Sequence, residues 1–160
     1  MSAEPRRRGN GKGERVTRDA SIEAPWRVLG LHHVAFAHGP DDAPDDALCE
    51  LLDVTPHAES GPGFLERMFP VGDGYVQTLE AQGDGVIQRF LDRRGPGLHH
   101  VALRVDGIDA ALTTLRERGV RLIDEEARPG GMGTRIAFVH PSAFGGMLVE
   151  LVEPVPEGPG

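Results

Sequence analysis

A histidine pair occurs twice in the same apolar frame: Leu31-His32-His33-Val34-Ala35-Phe36 and, 67 residues later, Leu98-His99-His100-Val101-Ala102-Leu103. An imidazole is both a proton carrier near neutral pH and a common metal ligand. Further along, each frame is followed by an apolar run that contains a residue able to coordinate a metal. The runs are Tyr75-Val76-Gln77-Thr78-Leu79-Glu80 and Met147-Leu148-Val149-Glu150-Leu151-Val152-Glu153. Gln77 lies 44 residues after His33, and Glu150 lies 50 after His100. Two imidazoles, an amide oxygen and a carboxylate form a mixed nitrogen and oxygen set, with positions left for water or substrate. Such a set suits a borderline or hard divalent ion (Co2+, Mn2+, Ni2+ or Zn2+) rather than a thiolate-seeking one. Successive side chains on a strand face opposite ways, so one His of each pair turns inward and its neighbour outward. Composition does not select which.

The elements that must position these residues also repeat. After each frame comes an acidic turn and then an Ala/Leu-rich helical pattern, at about 45–52 and again at about 108–118. Strands are expected over about 28–37, 64–70, 75–81, 98–105, 120–123, 135–140 and 147–153. Val71-Gly72-Asp73-Gly74 reads as a hairpin turn. Residues 53–63 hold Pro56, Gly61, Pro62 and Gly63, which predicts a broken or very short strand there. A short helix over 86–94 links the halves and stops at Gly95-Pro96-Gly97, and Gly119 ends the helix of the second half. The order β-α-β-β-β therefore appears twice, and such an internal repeat outranks any local reading. The expected fold class is α+β: two tandem βαβββ modules forming a cupped, mostly antiparallel sheet around a central metal site. One domain over 28–154 is expected, with module one at about 28–82, a linker helix at about 84–95 and module two at about 97–154.

Composition sets the outer bounds. The 160 residues suffice for one domain, and 22 Gly with 13 Pro suit short elements joined by many turns. Residues 1–28 hold seven Lys/Arg against four acids, whereas the remaining chain carries −11 of the net −8. An acidic body argues against nucleic acid as the main partner. The basic stretch 1–27 is expected to be a disordered extension, with Trp26 as the first anchor, and 155–160 a loose tail. A single cysteine, Cys49, cannot form an internal disulfide and fits the cytoplasm, and its place on a helical pattern makes it a small core residue. No run is apolar enough to span a membrane. His140 before Pro141 reads as a turn residue, and Asp41-Asp42 and Asp45-Asp46 as solvated helix-capping groups. Gly130-Gly131-Met132-Gly133 lacks the Lys and following helix of a phosphate loop and reads as a flexible loop beside the substrate.

These residues resemble the vicinal-oxygen-chelate superfamily of glyoxalase, bleomycin-resistance and extradiol-dioxygenase proteins, and within it most the methylmalonyl-CoA epimerases. The resemblance covers about 29–154. It rests on Tyr75 to Glu80, Gly97 to Ala102, Gly119-Val120-Arg121-Leu122-Ile123-Asp124-Glu125-Glu126, Gly133-Thr134-Arg135-Ile136-Ala137-Phe138-Val139-His140-Pro141 and Leu148 to Leu151. It implies His33, Gln77, His100 and Glu150 as metal ligands, with His32 and His99 outward or behind them. The implied reaction moves a proton at the carbon between a thioester and a carboxylate of an acyl-CoA substrate. One base takes the proton and a group on the opposite face returns one, and Glu150 is one of the two. The resemblance also implies a carboxylate at the place of Gly61. Glu59 is its nearest substitute, and Glu66 on the following strand is expected to be a solvated surface residue. The lost carboxylate leaves open another metal-dependent isomerase, lyase or cyclase acting on a different enolisable substrate. A metal-free binding or resistance protein has no need of the four ligands. Relatives pair in dimers, so a homodimer is expected.

Overall fold

The computed structural model describes residues 25–42 and 44–154. The extension and tail expected at the two ends lie largely outside the described residues. Eight strands form one sheet: β1 (Arg27–His38), β2 (His57–Gly61), β3 (Phe64–Val71), β4 (Gly74–Ala81), β5 (Gly97–Asp106), β6 (Arg128–Pro129), β7 (Thr134–Val139) and β8 (Leu148–Pro154). Three α-helices accompany them: α1 (Pro44–Leu52), α2 (Val86–Arg94) and α3 (Ile108–Glu117). The spatial order is β2-β3-β4-β1-β5-β8-β7-β6. β1 pairs with β4 and β5 with β8 in parallel, and the other neighbours run antiparallel. The halves therefore meet at the antiparallel seam of β1 and β5, each carrying its own His pair.

Two local expectations are resolved by the pairing, one of them as a change. Of the two alternatives over 53–63 the very short strand is the one present, since the five residues 57–61 find a full antiparallel partner in β3. The strand expected at 120–123 shrinks to one bridge, Leu122 to Val139, and the edge pairing moves to Arg128–Pro129 in the stretch expected to be loop. Pro129 cannot donate a ladder hydrogen bond, which suits an outermost strand.

The helices hold the sheet from different sides. Ile108, Ala111 and Leu112 of α3 bury against Val105, Ala137, Val139, Val149 and Leu151, and Trp26 packs on this cluster as the expected anchor. The Glu153 carboxylate accepts from the backbone N–H groups of Gly107 and Ile108 at 2.7 and 3.1 Å, placing a negative charge at the start of α3. Gly107 has φ +83, and a Cβ there would stand 2.9 Å from the Pro25 carbonyl oxygen, so both conformation and space call for glycine. α2 buries Ile87 against Ala35, Ala37, Leu79 and Ala81. α1 has no buried residue. Its Asp45 is not free in solvent as expected but bonds to Arg67 Nη1 at 2.7 Å and to the Thr78 hydroxyl, tying the helix to β3 and β4. Cys49 of the same helix is half-buried.

Register explains how two small residues shape the centre. His33 of β1 pairs with Ala102 of β5, and Ala102 pairs in turn with Glu150 of β8. By the same rule, His100 pairs with Ala35, and Ala35 with Gln77. Residues directly opposite across a ladder share a face, so each alanine lies between two candidate ligands, and both are fully buried. Widening either side chain intrudes on packed space. Ala102→Leu is expected to lower stability by about 1–3 kcal/mol, as read by the shift in urea midpoint. A midpoint equal to the parent protein's would show that the seam has room this register denies it.

Candidate metal centre and active site

The two half-sites converge on one point. His33 Nε2 and His100 Nε2 stand 2.9 Å apart, and Glu150 Oε2 lies 3.1 and 3.2 Å from them. All three side chains are buried, as is Gln77, which lines the same cavity. Glu150 Oε2 and Gln77 Oε1 are buried yet make no hydrogen bond. An unpaired buried oxygen is costly to fold around, and here two occur beside two facing imidazole nitrogens. Ligands at right angles around an ion at ~2.1 Å stand ~3.0 Å apart, close to the three edges seen. The residues thus fit a divalent cation held by two nitrogens and two oxygens.

The second His of each pair is the one that faces inward, and the first stands behind it. His32 Nδ1 contacts His33 Nδ1 at 2.8 Å, and His99 Nδ1 contacts His100 Nδ1 at 2.8 Å. One nitrogen of each contact must carry the hydrogen. Donation from His33 and His100 leaves their Nε2 lone pairs free for a cation, the outer-shell arrangement that fixes ring orientation and tautomer. Burial, then the neighbouring His33 and Arg104, pushes His32 down to about 4. Burial and His100 push His99 to about 4 as well. Burial also lowers His100. Burial alone would raise the Glu150 carboxyl, but His100 and His33 beside it hold it at about 2. A lowered His100 beside an ionised Glu150 is a protonation pattern that suits metal binding.

Glu59 and Glu66 exchange their expected places. Glu59 is exposed on β2, 3.9 Å from His57 Nε2, and does not line the cavity. Glu66, expected on the surface, lines the cavity with His33, Gln77 and Glu150, and its Oε2 accepts from Gln77 Nε2 at 3.0 Å. Burial, then Glu59 and Glu150, raises its pKa. The signal was in the alternation. Phe64, Glu66 and Met68 share one face of β3, and Met68 pairs with Gln77 across the ladder. At Gly61 a Cβ would meet the Phe64 ring at 2.2 Å, so that position holds no carboxylate without moving the ring. The Gly130–Gly133 loop does border the cavity through Gly131 and Met132, and Met132 has φ +54. A Cβ on Gly131 would lie 2.6 Å from Glu66 Oε1. His140 accepts from the Ser142 backbone N–H at 3.1 Å and shapes a turn, as expected.

A wider hollow of about 340 Å³ opens from this centre. Its walls include Phe64, Leu79, Ile87, Ile136 and Phe138, with Glu66, Gln77, His100 and Glu150 at the polar end and Arg128 at the rim. An apolar hollow with a few convergent polar groups is the usual form of a small-molecule site.

Known proteins resemble this chain in sequence and fold. The sequence profile of the Glyoxalase/Bleomycin resistance protein/Dioxygenase superfamily matches residues 32–138. The mitochondrial methylmalonyl-CoA epimerase of Bos taurus is 34% identical over 134 residues, covering 79% of this chain and 75% of that one. The crystal structure of methylmalonyl-CoA epimerase from Mycobacterium tuberculosis superposes with a TM-score of 0.76 at 37% identity, over 85% of this chain and 95% of that one. A methylmalonyl-CoA epimerase solved in complex with methylmalonyl-CoA and NH4+ gives 0.74 at 30% identity, over 83% and 100%. The chain belongs to the Glyoxalase/Bleomycin resistance protein/Dioxygenase superfamily and, within it, to the family of the methylmalonyl-CoA epimerases.

Proposed function

We propose that this protein, an isomerase by family, inverts the 2-position of methylmalonyl-CoA or a similar acyl-CoA with the help of a bound divalent ion. The observation that carries the reading is the convergence of His33, His100 and Glu150 beside Gln77 and Glu66 in one buried hollow. His33, Gln77, His100 and Glu150 would hold the ion. When bound, the ion supplies positive charge that stabilises an enolate oxygen.

The chain's own groups account for the remaining steps. The apolar walls exclude water and take the acyl chain, so that the carbon to be deprotonated lies among carboxylates of low solvation. Glu66, made more basic by burial and by Glu59 and Glu150, is suited to take the proton on one face. Glu150, ionised and from the other half of the molecule, is the base for the opposite face. There it takes the proton while protonated Glu66 returns one, and the two exchange roles for the other enantiomer. Glu59, at the exposed edge, acts on Glu66 through its charge. Glu66 would then supply within the hollow the carboxylate that the resemblance places at Gly61.

The exposed apolar side chains of β1, Val28, Leu29 and Leu31, support pairing of two chains. Among the described residues no helix is long and apolar enough to cross a membrane, and the lone free thiol of Cys49 supports a cytoplasmic setting.

Three outcomes test this reading. Titration calorimetry with Co2+ or Mn2+ is expected to show about one ion per chain, with thermal stability rising as metal is added. His100→Ala should weaken binding at least ~10-fold, and unchanged affinity would remove the metal centre from the account. In deuterated water, methylmalonyl-CoA should gain deuterium at its 2-position while its configuration inverts. Glu66→Gln should cut that turnover by about 10²–10⁴ with metal content intact, and Glu59→Gln should cost far less. The reverse order would return the second acid–base role to Glu59. Light scattering should give twice the chain mass at micromolar concentration, and a monomer would refute the paired state.

A further inference from the structure

A second groove continues outward from the acyl hollow along α2. It encloses about 290 Å³ and is lined by Val86, Arg89, Phe90, Arg93, Arg94 and His99, facing the loop that precedes β8. Val86 and His99 also line the hollow, so the two spaces adjoin at the start of α2. All three arginines are exposed. Among the described residues, the arginines that form ion pairs are Arg27, Arg67, Arg116, Arg128 and Arg135, and none of these is on α2. Three unpaired guanidinium groups in one groove stand out on a chain of net charge −8.

Helix energetics account for only part of this cluster. Arg93 and Arg94 in the last turn complement the helix dipole. Arg89 lies toward the positive end of the same helix and one turn from Arg93, where like charges repel by a few tenths of a kcal/mol. Arg89 thus gains nothing from the helix dipole, whereas an anion in the groove would be met by all three. From Val86 to Arg94 the helix rises about 12 Å. A thioester whose acyl end enters the hollow would thus carry its pantetheine arm past Val86 and bring its phosphates to the arginines. Guanidinium groups are well matched to phosphate oxygens.

We propose that Arg89, Arg93 and Arg94 form the subsite for the phosphorylated nucleotide end of the coenzyme A thioester, a proposal that rests on the acyl-CoA reading above. The subsite supplies affinity through charge, and salt weakens it. Isothermal titration of the metal-loaded protein with propionyl-CoA and with S-propionyl-pantetheine tests it, since the second probe keeps the thioester and lacks every phosphate. The wild-type chain should bind propionyl-CoA at least ~10-fold more tightly at low salt. That advantage should vanish in R89Q/R93Q/R94Q and persist in R118Q/R121Q, which removes two positive charges from outside the groove. Metal uptake at the parent level shows that the triple variant is folded. Equal binding of the two probes by wild type, or an advantage that survives the triple variant, overturns the subsite alone. Binding of neither probe overturns the acyl-CoA reading and the subsite with it.

Discussion

Everything at the centre depends on how β1 lies against β5. That antiparallel pairing sets His33 opposite Ala102 and Ala35 opposite His100. Each half then adds its own parallel neighbour, β4 bringing Gln77 beside Ala35 and β8 bringing Glu150 beside Ala102. Four polar side chains from four strands reach one buried point because two alanines, one from each half, leave the room. A slip of one residue along this seam would turn both ligand sets to the opposite face. The duplicated motif thus describes a site that neither half can complete.

Burying that set is expensive without a counter-charge. Glu150 is ionised and buried beside two buried imidazoles, and burial disfavours the charged form of His100. A carboxylate removed from water without a partner costs several kcal/mol. Two unpaired oxygens beside two facing nitrogens form an arrangement that an ion would complete. The pairs His32–His33 and His99–His100 continue this logic outward, each rear imidazole fixing the ring in front of it. Glu66 belongs to the same balance, since its bond to the Gln77 amide nitrogen directs the Gln77 oxygen away as a free acceptor. In the proposed reaction one carboxylate would therefore both orient Gln77 and exchange a proton.

Much of this was legible because it repeats. The His-His frames, the two closing strands and the helices over 86–94 and 108–117 follow periodicities strong enough to read from one chain. The second His of each pair was not separable from the first by pattern, and only the register decides it. Glu66 was misread because a charged residue on a hairpin strand is usually solvated, although its alternation with Phe64 and Met68 placed it on the Gln77 face. Pro and Gly punctuation leaves a broken and a very short strand equally open over 53–63, and β2 is the short one because its stability comes from its partner β3. Asp45 reads as a free capping group in the sequence because no local pattern reveals its partners Arg67 and Thr78 on the sheet.

The central claim, that two imidazoles and two oxygen side chains from the two halves hold one ion, is most directly tested by X-ray absorption at the cobalt edge of cobalt-loaded protein. The account predicts two imidazole ligands per cobalt, with first-shell nitrogen and oxygen distances of ~2.0–2.2 Å. It further predicts one imidazole fewer in His33→Ala. A wild-type spectrum without imidazole scattering, or one unchanged by His33→Ala, would contradict it.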